Sequence, residues 1–170
     1  GDRVVAIDDL STGGRENIAA IDSHDRFQLT VGSILDGDVI EPLVRDVDVV
    51  FHLASTVGVR LVVENPLAAI KTIVGGTEAV LNAARRHHRR VLITSSSEVY
   101  GKGSRVPFSE SDDVVLGPTT IPRWSFAASK MLDEFMAFAH WHETQLPVAC
   151  VRLFNTVGPR QTSRYGMVLP

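Results

Sequence analysis

Three consecutive serines, Ser95, Ser96 and Ser97, followed by Glu98, close an apolar run that begins at Arg90. The β-rich residues Arg90 to Ile93 predict a strand, which places the hydroxyls and the carboxylate at its carboxyl end. In an open parallel sheet that edge is where ligands bind. Phe126 stands thirty residues after Ser96, and Lys130 four further on. Residues four apart on a helix are neighbours on one face. Hydroxyl, carboxylate and ammonium are groups that hydrogen-bond, stabilise charge and move protons. The aromatic ring one turn before the ammonium carries no such group.

The rest of the chain must hold these residues. Its 170 residues suffice for one domain with a sizeable core, and 44% hydrophobic and 22% charged residues are the proportions of a globular protein. A net charge of −3 gives no reason to expect nucleic acid or an anionic membrane as partner. No apolar run approaches the roughly 18 residues of a membrane span, and no secretory signal precedes the first strand; the expectation is a cytoplasmic protein. The single cysteine, Cys150, cannot form an internal disulfide and reads as a small core residue.

Strand and helix signals alternate. Strands are predicted at Arg3 to Ile7, ending at Asp8; at Phe27 to Val31, ending in Gly32-Ser33-Ile34; at the continuous apolar V-D-V-V-F-H-L-A-S; at the serine strand; and at L-P-V-A-C-V-R-L-F. Asp8 and Asp9 could simply start a turn. Between the strands lie a short helix from Asp36 to Val44, a long amphipathic stretch opened by Pro66, and a helix through Phe126 to about Glu143. R-R-H-H-R-R closes the second, where cations suit a helix C-terminus. His52 reads as a packed core histidine, and neither His87 with His88 nor His140 with His142 has the spacing of a metal pair. No metal site is expected.

Asp8 with L-S-T-G-G, H-L-A-S, S-S-S-E-V-Y-G, Lys130 and R-L-F-N-T-V-G-P, in this order, resemble the extended short-chain dehydrogenase/reductases that act on nucleotide sugars, the NAD-dependent epimerases, decarboxylases and dehydratases. The resemblance runs from residue 3 to 169. It implies a Rossmann-like α/β fold, a doubly wound parallel sheet lacking the family's first strand and glycine-rich loop, since no G-x-x-G-x-x-G precedes Asp8. The expectation is therefore an internal piece of a longer protein, with a partial NAD-binding domain over 1–160 and the start of a substrate domain over 161–170. About five strands are expected, with a gap where the family's first strand would lie or closure across it.

The same resemblance implies roles. Asp8, Asp9, Ser11, Thr12 and Gly13 fall on the adenosine-ribose loop, Ser33 and Ile34 at the adenine, and Leu53, Ala54, Ser55 and Ile73 along the cofactor. Lys130 and Phe154 fall on the nicotinamide side, and Ser97, Asn155 and Arg160 toward the nucleotide-sugar substrate. In the family a tyrosine phenolate takes the proton of the sugar 4-hydroxyl while NAD takes hydride from C4. The lysine lowers that phenol's pKa, and the strand-end hydroxyl, here Ser96, relays the proton. The 4-keto sugar is then reduced, decarboxylated or dehydrated. Phe126 stands where that tyrosine belongs and Ile73 where an asparagine does, so weak or no turnover is expected. A non-catalytic nucleotide- or sugar-nucleotide-binding protein is the alternative. Ser-x-Glu, with Glu98, is similar to UDP-glucuronate decarboxylases and GDP-mannose 4,6-dehydratases; Glu98 could equally cap or salt-bridge the following loop. A homodimer through the helices beginning near Pro66 and Trp124 is implied. Phe135, Phe138 and Trp141 would serve that contact, although aromatics at helical spacing are more often core.

Overall fold

The computed structural model describes residues 1–103 and 105–161. Tyr165 and all but the first residue of the expected second domain lie outside them. Five strands form, all in parallel pairs: β1 (Val4–Asp8), β2 (Phe27–Val31), β3 (Val49–His52), β4 (Arg90–Ser96) and β5 (Val148–Leu153). They make two sheets, β1-β2 and β3-β4-β5. Of the two outcomes expected for the middle of the sheet, the gap is the one found: among the described residues no ladder joins β1 to β3.

Helices cross between the strands. α1 (Gly37–Arg45) starts at Asp36, whose Oδ1 accepts from the Asp38 N–H at 3.1 Å, and buries Ile40 and Val44 from one face. After α2 (Val59–Glu64), Pro66 opens the long stretch as expected. It is not one regular helix, however: α3 (Pro66–Ile70) runs through a π-helical turn at Lys71–Gly75 into α4 (Gly76–His87). α4 packs against α1, and its start lies so close to the segment between β2 and α1 that a side chain at Gly76 would run into Ile34. At its far end Arg86 and His87 both reach Glu41 of α1, His87 Nε2 at 2.7 Å. The basic run is thus a helix end engaged with an acidic partner.

α5 (Trp124–Thr144) is the longest helix and the one that matters for the site. It buries Ala127, Ser129, Lys130, Asp133, Glu134 and Ala137. Small and polar residues occupy the inner face because the helix backbone approaches β4 and β5, leaving no room for rings. Phe135 and Phe138, read as core by their spacing, are instead 64% and 50% exposed, while Trp141, one turn beyond Ala137, is 50% exposed beside the amino ends of β3, β4 and β5. The core lies between helices and sheet, with Leu81, Ile93 and Leu146 fully enclosed. Cys150 packs partly buried against it, as expected, and burial pushes its thiol up to about 11. No described helix is long and apolar enough to cross a membrane.

Candidate active site

β4 ends where the sequence places it, and its alternating side chains divide the work. Thr94 and Ser96 lie on one side and Ser95 on the other, the buried one. Ser96 caps a short 3-10 turn, Ser97–Tyr100, accepting the Glu98 N–H at 3.2 Å. That turn carries Glu98 forward to Arg123, whose guanidinium donates to Oε1 at 3.0 Å. The loop-pairing reading of Glu98 is therefore realised, and it leaves the carboxylate two residues from Ser96 on the same strand end. Arg123 also lies over Trp124, whose other cationic neighbour is Lys102 at 5.2 Å. Gly117 lets the chain pass the Trp124 indole, where any Cβ would collide.

Phe126 sits half-buried near the start of α5, and Lys130 one turn later is almost fully enclosed, 3% exposed. Lys130 Nζ donates to the Thr94 carbonyl at 2.9 Å and to Asp133 Oδ2 at 3.4 Å. Burial pulls the Lys130 ammonium below its ordinary range, against the pull of Asp133. Burial likewise pushes the Asp133 carboxyl up to about 6, with Lys130 and the Thr77 hydroxyl opposing. Thr77 Oγ1 also meets His52 Nε2 at 3.0 Å, and the Thr94 hydroxyl donates to the His52 carbonyl at 3.1 Å. His52 is thus the buried histidine expected, its pKa lowered to about 4 by burial and then by Lys130.

That shift has a measurable consequence. His52 titrates near 6.5 when unfolded and near 4 when folded. Its contribution to stability is complete above pH 6.5 and is lost as pH falls toward 4, roughly 3 kcal/mol in all. Asp133 works in the opposite sense: its raised pKa favours the folded state on acidification below about 6, which flattens the profile of the unsubstituted chain. In a His52→Gln variant the histidine loss is gone. The stability difference between the two chains, from urea unfolding, should narrow by roughly 3 kcal/mol between pH 6.5 and 4. Parallel profiles would mean that His52 is not held neutral.

A second, stronger pair secures the other side of the strand end. Arg152 of β5 clasps Glu134 with both forks, Nε to Oε1 at 2.9 Å and Nη2 to Oε2 at 2.8 Å, while the buried Ser95 hydroxyl donates to the same carboxylate. Burial would raise the Glu134 carboxyl, but the Arg152 fork and Ser95 outweigh it and hold it low. Arg152 in turn lies 4.7 Å from the Tyr100 ring, which stacks on Phe108 and leans toward Phe154. Asp133, Glu134 and Arg123 were not singled out from the sequence, and Arg152 entered only as the first residue of R-L-F-N-T-V-G-P. The available signal was spacing, since Asp133 and Glu134 fall three and four residues after Lys130, on its face of the helix.

The remaining candidates line the same edge. Asp8 ends β1, where its Oδ1 accepts the Leu10 N–H at 2.7 Å; Asp9 does the same for Ser11 at 2.9 Å, so both shape the exposed loop through Thr12 and Gly13. Ser33 follows β2 and accepts from Leu35, whereas the Ile34 side chain is committed to the core. Leu53 and Ala54 follow β3, with Leu53 62% exposed. Ser55 Oγ is buried and has no hydrogen-bond partner among the described residues. Ile73 is buried in the π turn, and Phe154, Asn155 and Arg160 extend, exposed, beyond β5. Ser96, Ser97 and Glu98 follow one another at the end of β4, and Lys130 reaches that strand at the Thr94 carbonyl, two residues before Ser96; the Asp8 loop and Arg160 are carried on separate strand ends. Clefts beside Arg3 and Gln28, and beside Arg90 and Trp141, lie at the opposite, amino ends of the strands.

A parallel sheet with its hydroxyls and lysine gathered at one carboxyl edge defines a Rossmann-type short-chain dehydrogenase/reductase. Residues 1–168 match the family model described as GDP-mannose 4,6 dehydratase, and the chain belongs to this family. It is 43% identical over 139 residues to a UDP-N-acetyl-alpha-D-glucosaminuronate decarboxylase of Bacillus cytotoxicus, covering 81% of this chain and 43% of that protein. It is 34% identical over 169 residues to UDP-glucuronic acid decarboxylase 1 of Xenopus tropicalis, covering 99% and 39%. Among solved structures, a dTDP-glucose 4,6-dehydratase from Streptomyces venezuelae with NAD bound superposes with a TM-score of 0.85 at 29% identity, over 94% of this chain and 48% of that one. The chain spans less than half the length of the curated relatives it matches.

Proposed function

We propose that the protein oxidises a nucleotide sugar at C4 with NAD and that Glu98 serves the step that follows, decarboxylation of a UDP-uronate being the reading favoured over dehydration or epimerisation. The observation that carries this is the position of Ser96 and Glu98 at the carboxyl end of β4, the strand whose Thr94 carbonyl Lys130 holds. Relatives whose names specify uronate decarboxylation support it. For the cofactor, the donor set fits: acidic Asp8 ends β1, Ser33 follows β2, and the unpartnered buried hydroxyl of Ser55 follows β3, all on one edge. Asp8 would hold the adenosine ribose, Ser33 the adenine and Lys130 the nicotinamide ribose. NAD supplies a hydride acceptor that later returns the hydride.

The chain's own residues do the rest. Ser96 hydrogen-bonds the sugar 4-oxygen and relays its proton toward solvent as the C4 hydride departs, the slow route left where Phe126 offers no base, and Ser97, Asn155 and Arg160 bind the nucleotide sugar. Glu98, steered by Arg123, holds or moves a proton after oxidation. Phe126 shields the site from water but cannot accept a proton. That last fact favours a second reading, a protein that binds a sugar nucleotide without turning it over. The exposed rings of Phe135 and Phe138 support self-association through α5. Calorimetry with NAD, on the protein as its gene encodes it, tests the cofactor reading. Asp8→Asn should weaken NAD binding about 10–100-fold, the worth of hydrogen bonds to a charged acceptor. Equal affinity in both proteins removes Asp8 from the cofactor site.

A further inference from the structure

Lys130 and Asp133 form an ion pair with side chains only 4% and 0% exposed. Such a pair gives a fold little stability that well-packed apolar residues would not give. Its surroundings are built around it nonetheless. Thr94 of β4 supplies the carbonyl, Thr77 of α4 the hydroxyl beside Asp133, and His52 of β3 the far side of Thr77. We propose that Asp133 is a positioning residue of the site: with the Thr94 carbonyl it fixes Lys130 as a buried ammonium behind the hydroxyl end of β4, in place of the phenolate that Phe126 cannot form. This rests on the reading of Lys130 as a group that serves cofactor and substrate.

The other charged or titratable groups facing the pair do not compete for this role. His52 on β3 is held neutral down to about pH 4, and the Cys150 thiol on β5 stays protonated up to about 11. Glu134, next along α5, is occupied by Arg152 and Ser95. Asp133 is left as the counter-ion. Family roles assigned from the sequence stop at the lysine itself, whereas the geometry continues one layer inward.

The chain has three lysines, Lys71, Lys102 and Lys130, so lysine labelled with carbon-13 at Cε gives three resolvable NMR titrations. Asp133→Asn should lower the Lys130 pKa by at least about one unit, the scale set by an opposite charge within a few ångströms, while Lys71 and Lys102 stay in place. An aspartate that served only its contact with Thr77 would change melting without moving that titration, and Asp133→Glu, which keeps the charge, should restore the value of the unsubstituted chain. An unchanged Lys130 pKa in folded Asp133→Asn overturns the proposal. Should that variant not fold, Lys130→Met supplies the reciprocal reading: the Asp133 carboxyl must titrate at least about one unit higher, and an unmoved carboxyl overturns the proposal equally. The coupling is read without cofactor, so it decides for Asp133 even if NAD titration of the unsubstituted protein fails and overturns the cofactor reading.

Discussion

Phe126→Tyr should raise turnover of UDP-glucuronate by about 10²–10⁴-fold, the ordinary contribution of a positioned general base. The argument is geometric. Phe126 lies one helical turn before Lys130 on α5, half-buried, with Ser96 already present at the end of β4. The substitution keeps the ring and adds the one atom the set lacks. Where in that range the gain falls depends on Lys130. In this chain its ammonium is turned to Asp133 and the Thr94 carbonyl. A phenol ordinarily ionises near 10, and only an ammonium shared with it would bring that value down. Initial rates with NAD and UDP-glucuronate across pH 6 to 9, for both proteins, make the comparison. Equal rates would show that another group takes the proton, and that the absent phenol does not limit this protein.

The largest expected effect on stability belongs to Glu134. Glu134→Ala should cost about 3–5 kcal/mol, the penalty for removing one partner from a buried pair. Two groups are stranded at once: the Arg152 guanidinium, 18% exposed, and the Ser95 hydroxyl inside the core. A domain of this size has roughly 5–15 kcal/mol to lose, so the variant would forfeit about a fifth of that reserve or more. Joint replacement, Glu134→Leu with Arg152→Leu, should recover much of the loss, because it leaves no unpaired charge. Urea midpoints measure both. A loss below about 1 kcal/mol in the single variant would place the pair with exposed bridges of little worth, contrary to its bidentate, enclosed geometry.

The strand and helix order was legible because each strand is an apolar β-branched run ended by small or polar residues. His52 and Cys150 were legible as core for the same reason. The face of α5 was not. Its sequence offers apolar residues all round, and periodicity cannot say which side meets the sheet. The choice was made by size: Ala127, Ser129 and Ala137 permit the close approach that Phe135, Phe138 and Trp141 forbid. Once that face is inward, Lys130, Asp133 and Glu134 must find partners on β4, β5 and α4, residues remote in sequence. No local pattern announces such partners. The π turn at Lys71–Gly75 was equally silent, being a feature of backbone hydrogen bonding within a run that reads as continuous helix.

The seat of α1 on α4 has an energetic meaning. Ile40 and Val44 share one apolar core with Val80, Leu81 and Ala84, and Glu41 lies beneath Arg86 and His87, so the β1-β2 side and the β3-β4-β5 side are held by common contacts. A dinucleotide held at one end by the Asp8 loop and at the other by Lys130 would span both sides. It would then act as a tie-rod, and ligand affinity and the rigidity of the whole would be two readings of a single equilibrium.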